Sequence, residues 1–468
     1  MNNESRLELA PEQMRQLGYR VVDLLVEHFT NLRHKPVGAK ALPQQLHGLL
    51  HHPPSNEPSD PHQLLDFLDR EIFPNCLHVD HPRFFAFVPS PNNFVSAMAD
   101  ALASGLNIFN GTWLGGSGAA ALEATVIDWL RGFCGLPETG GGILVSGGSV
   151  ANLTALTAAR HAILNDRTEG AVVYLSDQTH SSVDRALAVI GFKPEQIRHL
   201  ESDSHFRLPV EALQQAIQKD RNAGLRPFCV IGNAGTTNTG AVDPLNELAD
   251  ICVAEKLWFH IDGAYGAATV ICDQGRQLLH GLERADSLSL DPHKWLFQSF
   301  ECGCVLLRDA RQLKTTFRVM PEYLRDVRKG DEEIHPCDYG IQLTRGFRAL
   351  KVWLSLNTFG MNAYRQAVAR GFALAEFAEQ ELRAMPDCQV VTSAQMGIVC
   401  FRFAAGDAAQ SYVIDQMLQE GYAFLTSTRL RGEACLRLCT INPRTSEQDI
   451  SETIRRVATF ARQFQLRT

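Results

Sequence analysis

Residues 11–32, PEQMRQLGYRVVDLLVEHFTNL, place Met14, Leu17, Val21, Leu24, Leu25 and Phe29 at helical spacing, forming an apolar stripe that needs a partner surface. Pro and His then break the period between 35 and 61, and a second helix is predicted around 61–72. From about 88 to 310 short apolar runs alternate with helical patterns. GGILVS, AVVYLSD, PFCVIGN, LWFHID, ADSLSL and GCVLLR read as buried strands joined by crossover helices, the signature of an α/β protein with a mainly parallel sheet. The last hundred residues change character. A long helix starts near Phe347, CQVVTS, GIVCFRF and CLRLCTIN read as strands, and a closing helix carries Ile450, Ile454, Val457, Phe460 and Phe464 on one face. Ser446 with Asp449 resembles a capping box for that helix. The pattern divides the chain into an N-terminal helical arm (1–87), a large α/β domain (88–360) and a small C-terminal α+β domain (361–468).

Composition narrows the function classes. With 468 residues, 45% hydrophobic and 21% charged, the chain has the make-up of an ordinary globular protein. A net charge of −8 supplies no positive field for nucleic acid or an anionic membrane surface. The uncharged stretches near 101–122 and 139–159 are dense in Gly, Ser, Thr and Asn, unlike a membrane span. MNNESRLELAPEQ lacks the basic start and apolar run of a signal peptide, so a cytosolic protein is expected. Twelve scattered cysteines in a chain this large predict reduced thiols. Neither Cys302 with Cys304 nor Cys435 with Cys439 has a histidine at zinc-like spacing, and no metal is expected.

Three features suggest chemistry. The segment GGGILVSGGS at 140–149 ends a strand in small residues and opens a helix, whose free amides and dipole, with the Ser149 hydroxyl, favour an anion such as phosphate. It matches neither the P-loop nor the dinucleotide fingerprint. LWFHID ends in Asp262, followed by Gly263 and Ala264, which leave room for a flat ligand at the sheet's carboxyl edge. Lys294, flanked by His293 and Trp295, follows another strand in an apolar setting, where an amine has reason to be held inward. Together a phosphate cup, a strand-end Asp and such an amine specify pyridoxal phosphate. The lysine forms a Schiff base and the Asp keeps the pyridine nitrogen protonated, so that the ring acts as an electron sink.

SDQTHSSVDRA, HIDGAYGA, DPHKW and LTRGFRALKVW resemble, in order, the corresponding stretches of the group II pyridoxal-phosphate-dependent decarboxylases, and among them the aromatic-L-amino-acid decarboxylases. The resemblance implies the fold type I architecture of pyridoxal-phosphate enzymes and a homodimer with active sites at the subunit interface. It makes Lys294 the Schiff-base lysine and Asp262 the partner of the pyridine nitrogen, with His180 on one face of the ring and Ala264 on the other. It implies that Gly148, Ser149, Ser287 and Asp291 hold the phosphate and that Thr237 and His293 lie near the cofactor. At 291 the family usually has Asn, so Asp there is a departure. Tyr323, in VMPEYLRDVRKGDEE, matches the lid tyrosine that protonates the substrate carbon after CO₂ leaves; in related aldehyde synthases that position is typically Phe.

By the same resemblance Phe87, Pro89, Phe109 and Thr344 line the substrate side-chain pocket, in part from the neighbouring subunit. Thr344 stands where the aromatic enzymes usually have Gly, and Gly111 where an aromatic wall is expected. The expected reaction is decarboxylation of an aromatic or heteroaromatic L-amino acid to the amine. The alternative is an acidic amino acid, with Arg83 or Arg345 as its cation. Aldehyde formation, aminotransferase chemistry through Arg429 or Arg437, and sulfur transfer through Cys337 rank below these, as does a non-catalytic protein on the same fold.

Overall fold

The computed structural model describes residues 7–319, 332–404 and 406–467. The predicted first helix is α1 (Pro11–Asn31), followed by α2 (Pro43–Leu50) and α3 (Pro61–Phe67), the last running into a π-helical turn at Leu68–Ile72. None of the α1 residues is buried within the chain, and Met14, Val21, Val22 and Val26 stay exposed. The arm is tied down by polar contacts: His28 Nε2 lies 2.8 Å from Asp80, and Arg33 donates to Asp449.

Helices α4 (Phe94–Gly105) and α5 (Trp113–Phe133) lead into the main sheet. Its strands are β1 (Gly141–Val145), β2 (Ala171–Ser176), β3 (Ile197–Leu200), β4 (Arg226–Asn233), β5 (Trp258–Asp262), β6 (Ser287–Leu290) and β7 (Gly303–Leu307). They lie in the order β1-β7-β6-β5-β4-β2-β3, with β7 antiparallel to both neighbours and every other pairing parallel. Each expected run forms its strand because both faces are covered, by α6 (Gly148–Leu164), α7 (Ser181–Val189), α8 (Val210–Asn222), α9 (Leu245–Glu255) and, beyond the short α10 (Asp273–Leu278), α11 (Arg311–Phe317) together with α5. The edge strand β3 was not apparent from IRHL, which is half polar.

Helix α12 (Ala349–Arg383) bends at Gly360, whose φ of +73° suits glycine. It passes from the large sheet to a second, antiparallel one of order β10-β11-β9-β8. Here β8 is Cys388–Gln395, β9 Ile398–Phe403, β10 Thr426–Leu430 and β11 Glu433–Cys439, covered by α13 (Gly406–Glu420) and α14 (Glu447–Gln465). The Ser446–Asp449 capping box is present. No helix among the described residues is long and apolar enough to cross a membrane.

His81 joins the arm to the rest of the chain. The fully buried ring pairs Nε2 with the Lys35 carbonyl at 3.2 Å, and Nδ1 accepts from the Arg83 amide at 3.0 Å. That geometry requires a neutral ring, and burial, aided by Arg83, lowers its pKa to about 4. The unfolded chain, with a pKa near 6.5, therefore binds the proton first. Stability is whole above about pH 6.5 and falls as pH drops toward 4, by about 3 kcal/mol in all. Urea midpoints at pH 7.5 and 5 are expected to converge in His81→Gln, which keeps one donor and one acceptor; an undiminished pH slope would contradict this.

Candidate active site

The carboxyl ends of β4 and β5, the loop after β6 and the start of α6 surround a cavity of about 330 Å³. Gly148, Ser149, His180, Thr237, Asp262, Ala264, Asp291, His293 and Lys294, scattered over 147 positions of sequence, all line it. The strand-to-helix turn has Gly147 in extended conformation and leaves the first amides of α6 without a side-chain cap. A Cβ at Gly148 would fall 2.6 Å from Ala264 Cβ and 3.1 Å from Asp291 Oδ2, so glycine keeps the cup open where helix, strand end and loop converge.

Asp262 is held on both oxygens. Oδ1 accepts from Ser289 Oγ at 3.0 Å and the Ala264 amide at 3.2 Å; Oδ2 accepts from Asn152 Nδ2 at 3.1 Å. The Lys294 Nζ lies 2.9 Å from Asp291 Oδ2, and Asp291 Oδ1 is buried with no hydrogen-bond partner. Burial lowers the His293 pKa, opposed by Asp291 and assisted by Lys294; its Nδ1 accepts from the Cys302 amide. At the cavity rim His180 Nδ1 accepts from the Ser182 amide at 3.2 Å.

Ser287, expected among the phosphate ligands, sits apart from the other expected residues. Strand register puts Ser289 beside Asp262 and Ser287 beside His260, one rung deeper. The Ser287 hydroxyl is occupied by Trp258 Nε1 and His260 Nδ1, each at 2.8 Å, and the residue does not line the cavity. The expected substrate-pocket residues do not line it either. Phe87 is 57% exposed, Thr344 is exposed, Pro89 is buried, and the Phe109 ring packs over Gly111. A Cβ at Gly111 would fall 2.3 Å from Phe109 Cζ, which explains the small residue there. Tyr323 lies outside the described residues.

The candidate arginines have other partners. Arg345 and Glu123 form a buried pair, and Arg83 donates to the Tyr422 carbonyl with its guanidinium over the Tyr422 ring. Arg437 is spent on the carbonyls of Phe87, Thr237 and Asn238, and Arg429 pairs with Asp407 on the surface. Sequence reasoning missed Asn152, Ser182, Ser289 and Asn233. Their signal is a polar residue at a position the α/β pattern buries, as Asn152 in VANLTAL shows.

An amine, a held carboxylate at the sheet's carboxyl edge and an uncapped helix start around one cavity are the parts of a pyridoxal-phosphate site, and the glycine-lined cup fits the phosphate. Residues 43–404 match the model of the pyridoxal-dependent decarboxylase conserved domain, and the chain belongs to that family. It is 49% identical to an aromatic-L-amino-acid decarboxylase of Bacillus atrophaeus over 97% of each chain. It is 33% identical to a phenylacetaldehyde synthase of Arabidopsis thaliana, again over 97% of each. Among solved structures, Oryza sativa TDC with PLP and tryptamine superposes with a TM-score of 0.93 at 28% identity, covering 98% of this chain and 100% of that one.

Proposed function

We propose that the protein decarboxylates an aromatic or heteroaromatic L-amino acid to the amine and CO₂. The observation that carries the substrate class is that both arginines an acidic side chain would use are already engaged, Arg83 on the Tyr422 carbonyl and Arg345 with Glu123. With Arg83 and Arg345 engaged elsewhere, the acidic alternative loses both its cations. The similarity to the Bacillus atrophaeus enzyme supports the same reading.

Pyridoxal phosphate, when bound, supplies the electron sink that takes up the charge left as CO₂ departs. Lys294 Nζ would hold it covalently, the α6 amides at Gly148 and Ser149 would take the phosphate, and Asp262 would serve the ring nitrogen. His180 and Ala264, both lining the cavity, would contact the ring. Tyr323 would supply the proton to the substrate α-carbon, which would separate amine formation from the aldehyde and ammonia of the synthase-like outcome. Phe87 and Thr344, exposed in their own chain, contribute to the pocket of a second copy, and the exposed face of α1 packs in the same homodimer. The twelve free cysteines accord with a cytosolic protein.

Product analysis of the holoenzyme against L-Trp, L-Tyr, L-DOPA, L-Phe, L-His, L-Glu and cysteine sulfinate tests this. Amine and CO₂ in equal amounts from a ring-bearing substrate is the expected result. Turnover confined to the acidic substrates would overturn the substrate class, and aldehyde with ammonia would overturn the role given to Tyr323.

A further inference from the structure

Behind Asp262 runs a chain of buried polar side chains that the activity does not obviously require. Trp258 Nε1 lies 2.8 Å from Ser287 Oγ, which lies 2.8 Å from His260 Nδ1. His260 Nε2 is 3.1 Å from Asn152 Oδ1, and Asn152 Nδ2 is 3.1 Å from both Asp262 Oδ2 and Ser182 Oγ. Ser182 Oγ in turn lies 2.9 Å from His180 Nδ1. Trp258, Ser287, His260, Asn152 and Ser182 are all buried.

The direction of every bond follows from what each group can do. Indole N–H only donates, so Ser287 Oγ accepts from Trp258. A carboxylate only accepts, so the Asn152 amide nitrogen faces Asp262 and its carbonyl faces His260. His260 Nε2 must then carry a proton. Burial lowers the His260 pKa from its ordinary value, so the ring is neutral at pH 7 and its Nδ1 is an acceptor. The Ser287 hydrogen therefore goes to His260. At the other branch the Ser182 amide also donates to His180 Nδ1, leaving Nε2 as the nitrogen that carries the His180 proton.

We infer that Trp258, Ser287, His260 and Asn152 form a one-way relay of hydrogen-bond donors that positions Asp262 against the cofactor ring nitrogen and, through Ser182, sets the tautomer of His180. The relay rests on the proposed roles of Asp262 and His180. It makes Ser287, expected at the phosphate, a positioning residue one rung behind the site. Both ends are fixed, one by an indole and the other by a carboxylate, so the residues between them have a single consistent arrangement of protons.

The test is ¹⁵N NMR of histidine-labelled, cofactor-free enzyme, with the His260 signals assigned by their loss in His260→Gln. His260 is expected as the Nε2–H tautomer, unchanged from pH 8 to pH 6. A proton on Nδ1, or titration within that range, would overturn the relay. In the holoenzyme Ser287→Ala is expected to lower kcat about tenfold with KM within twofold, and Ser287→Thr, which restores a hydroxyl, to recover it. A Ser287→Ala enzyme with wild-type kcat would also overturn the inference. If Ser287→Ala does not fold, Trp258→Phe, which leaves the Asp262 end of the relay intact, is expected to keep His260 as the Nε2–H tautomer; a proton on Nδ1 in that variant would overturn the relay. The NMR result does not depend on the substrate. An intact relay in an enzyme that decarboxylates nothing on the panel would therefore refute the proposed reaction and leave the relay standing.

Discussion

Lys294→Ala is expected to abolish decarboxylation, by about four orders of magnitude or more, and with it the visible absorbance of covalently held cofactor. The same substitution should destabilise the cofactor-free protein for a separate reason. The Asp291 side chain is 2% exposed, its Oδ1 has no partner, and the Lys294 ammonium at 2.9 Å is the cation that faces Oδ2. Removing that cation strands a buried carboxylate, a loss of about 3 kcal/mol where both groups are withdrawn from water. The Lys294 side chain is 20% exposed, which places the value at the lower end of the usual range. The two effects separate in the double variant. Lys294→Ala with Asp291→Asn should recover most of the urea midpoint and none of the turnover. If the double variant were as unstable as the single one, the Asp291 charge would not be what Lys294 neutralises. If Lys294→Ala kept measurable turnover, the amine would not be the group that holds the cofactor.

The parts of the fold legible in the sequence are those where one physical demand dominates. Strands such as AVVYLS and WFHID are buried throughout and largely apolar because both faces of a parallel sheet are covered, and they stand out in the chain. Strands β3 and β10 do not, since IRHL and TSTRL are half exposed and owe their conformation to the neighbours they pair with. The site was legible for the same kind of reason. A strand-end Asp before Gly and Ala, and a Lys between His and Trp, are locally odd, and the fold brings them to one cavity. What sequence could not resolve was depth along a strand. Ser287 and Ser289 point to the same face of β6, and only pairing with β5 shows that Ser289 reaches Asp262 while Ser287 lies behind it with His260. Nor could it tell a cation that is free from one already paired, which is what distinguished Arg345 the substrate ligand from Arg345 the structural clamp.

That clamp carries the second large effect. Arg345 and Glu123 are 1% and 4% exposed and meet through two hydrogen bonds, Nη2 to Oε1 at 2.6 Å and Nη1 to Oε2 at 3.1 Å. Nη2 also donates to the Leu144 carbonyl at 2.6 Å, and Glu123 accepts from the Leu144 amide at 2.9 Å and from Asn110 Nδ2. The pair thus binds α5 and the loop before α12 to β1, two residues short of the turn that opens the phosphate cup. Arg345→Met leaves Glu123 charged, buried and short of a cation, and is expected to cost about 3–5 kcal/mol in urea denaturation. Replacing both, as Glu123→Leu with Arg345→Met, removes the stranded charge and should cost less than the single change, a sign only a buried ion pair produces. Because Leu144 is held on both its amide and its carbonyl, the single variant should also bind pyridoxal phosphate more weakly while its preference among substrates stays fixed. Were Arg345 instead the partner of an acidic substrate, Arg345→Met would leave the urea midpoint nearly unchanged and erase turnover of glutamate or cysteine sulfinate. The two assignments thus predict opposite results in the same pair of measurements.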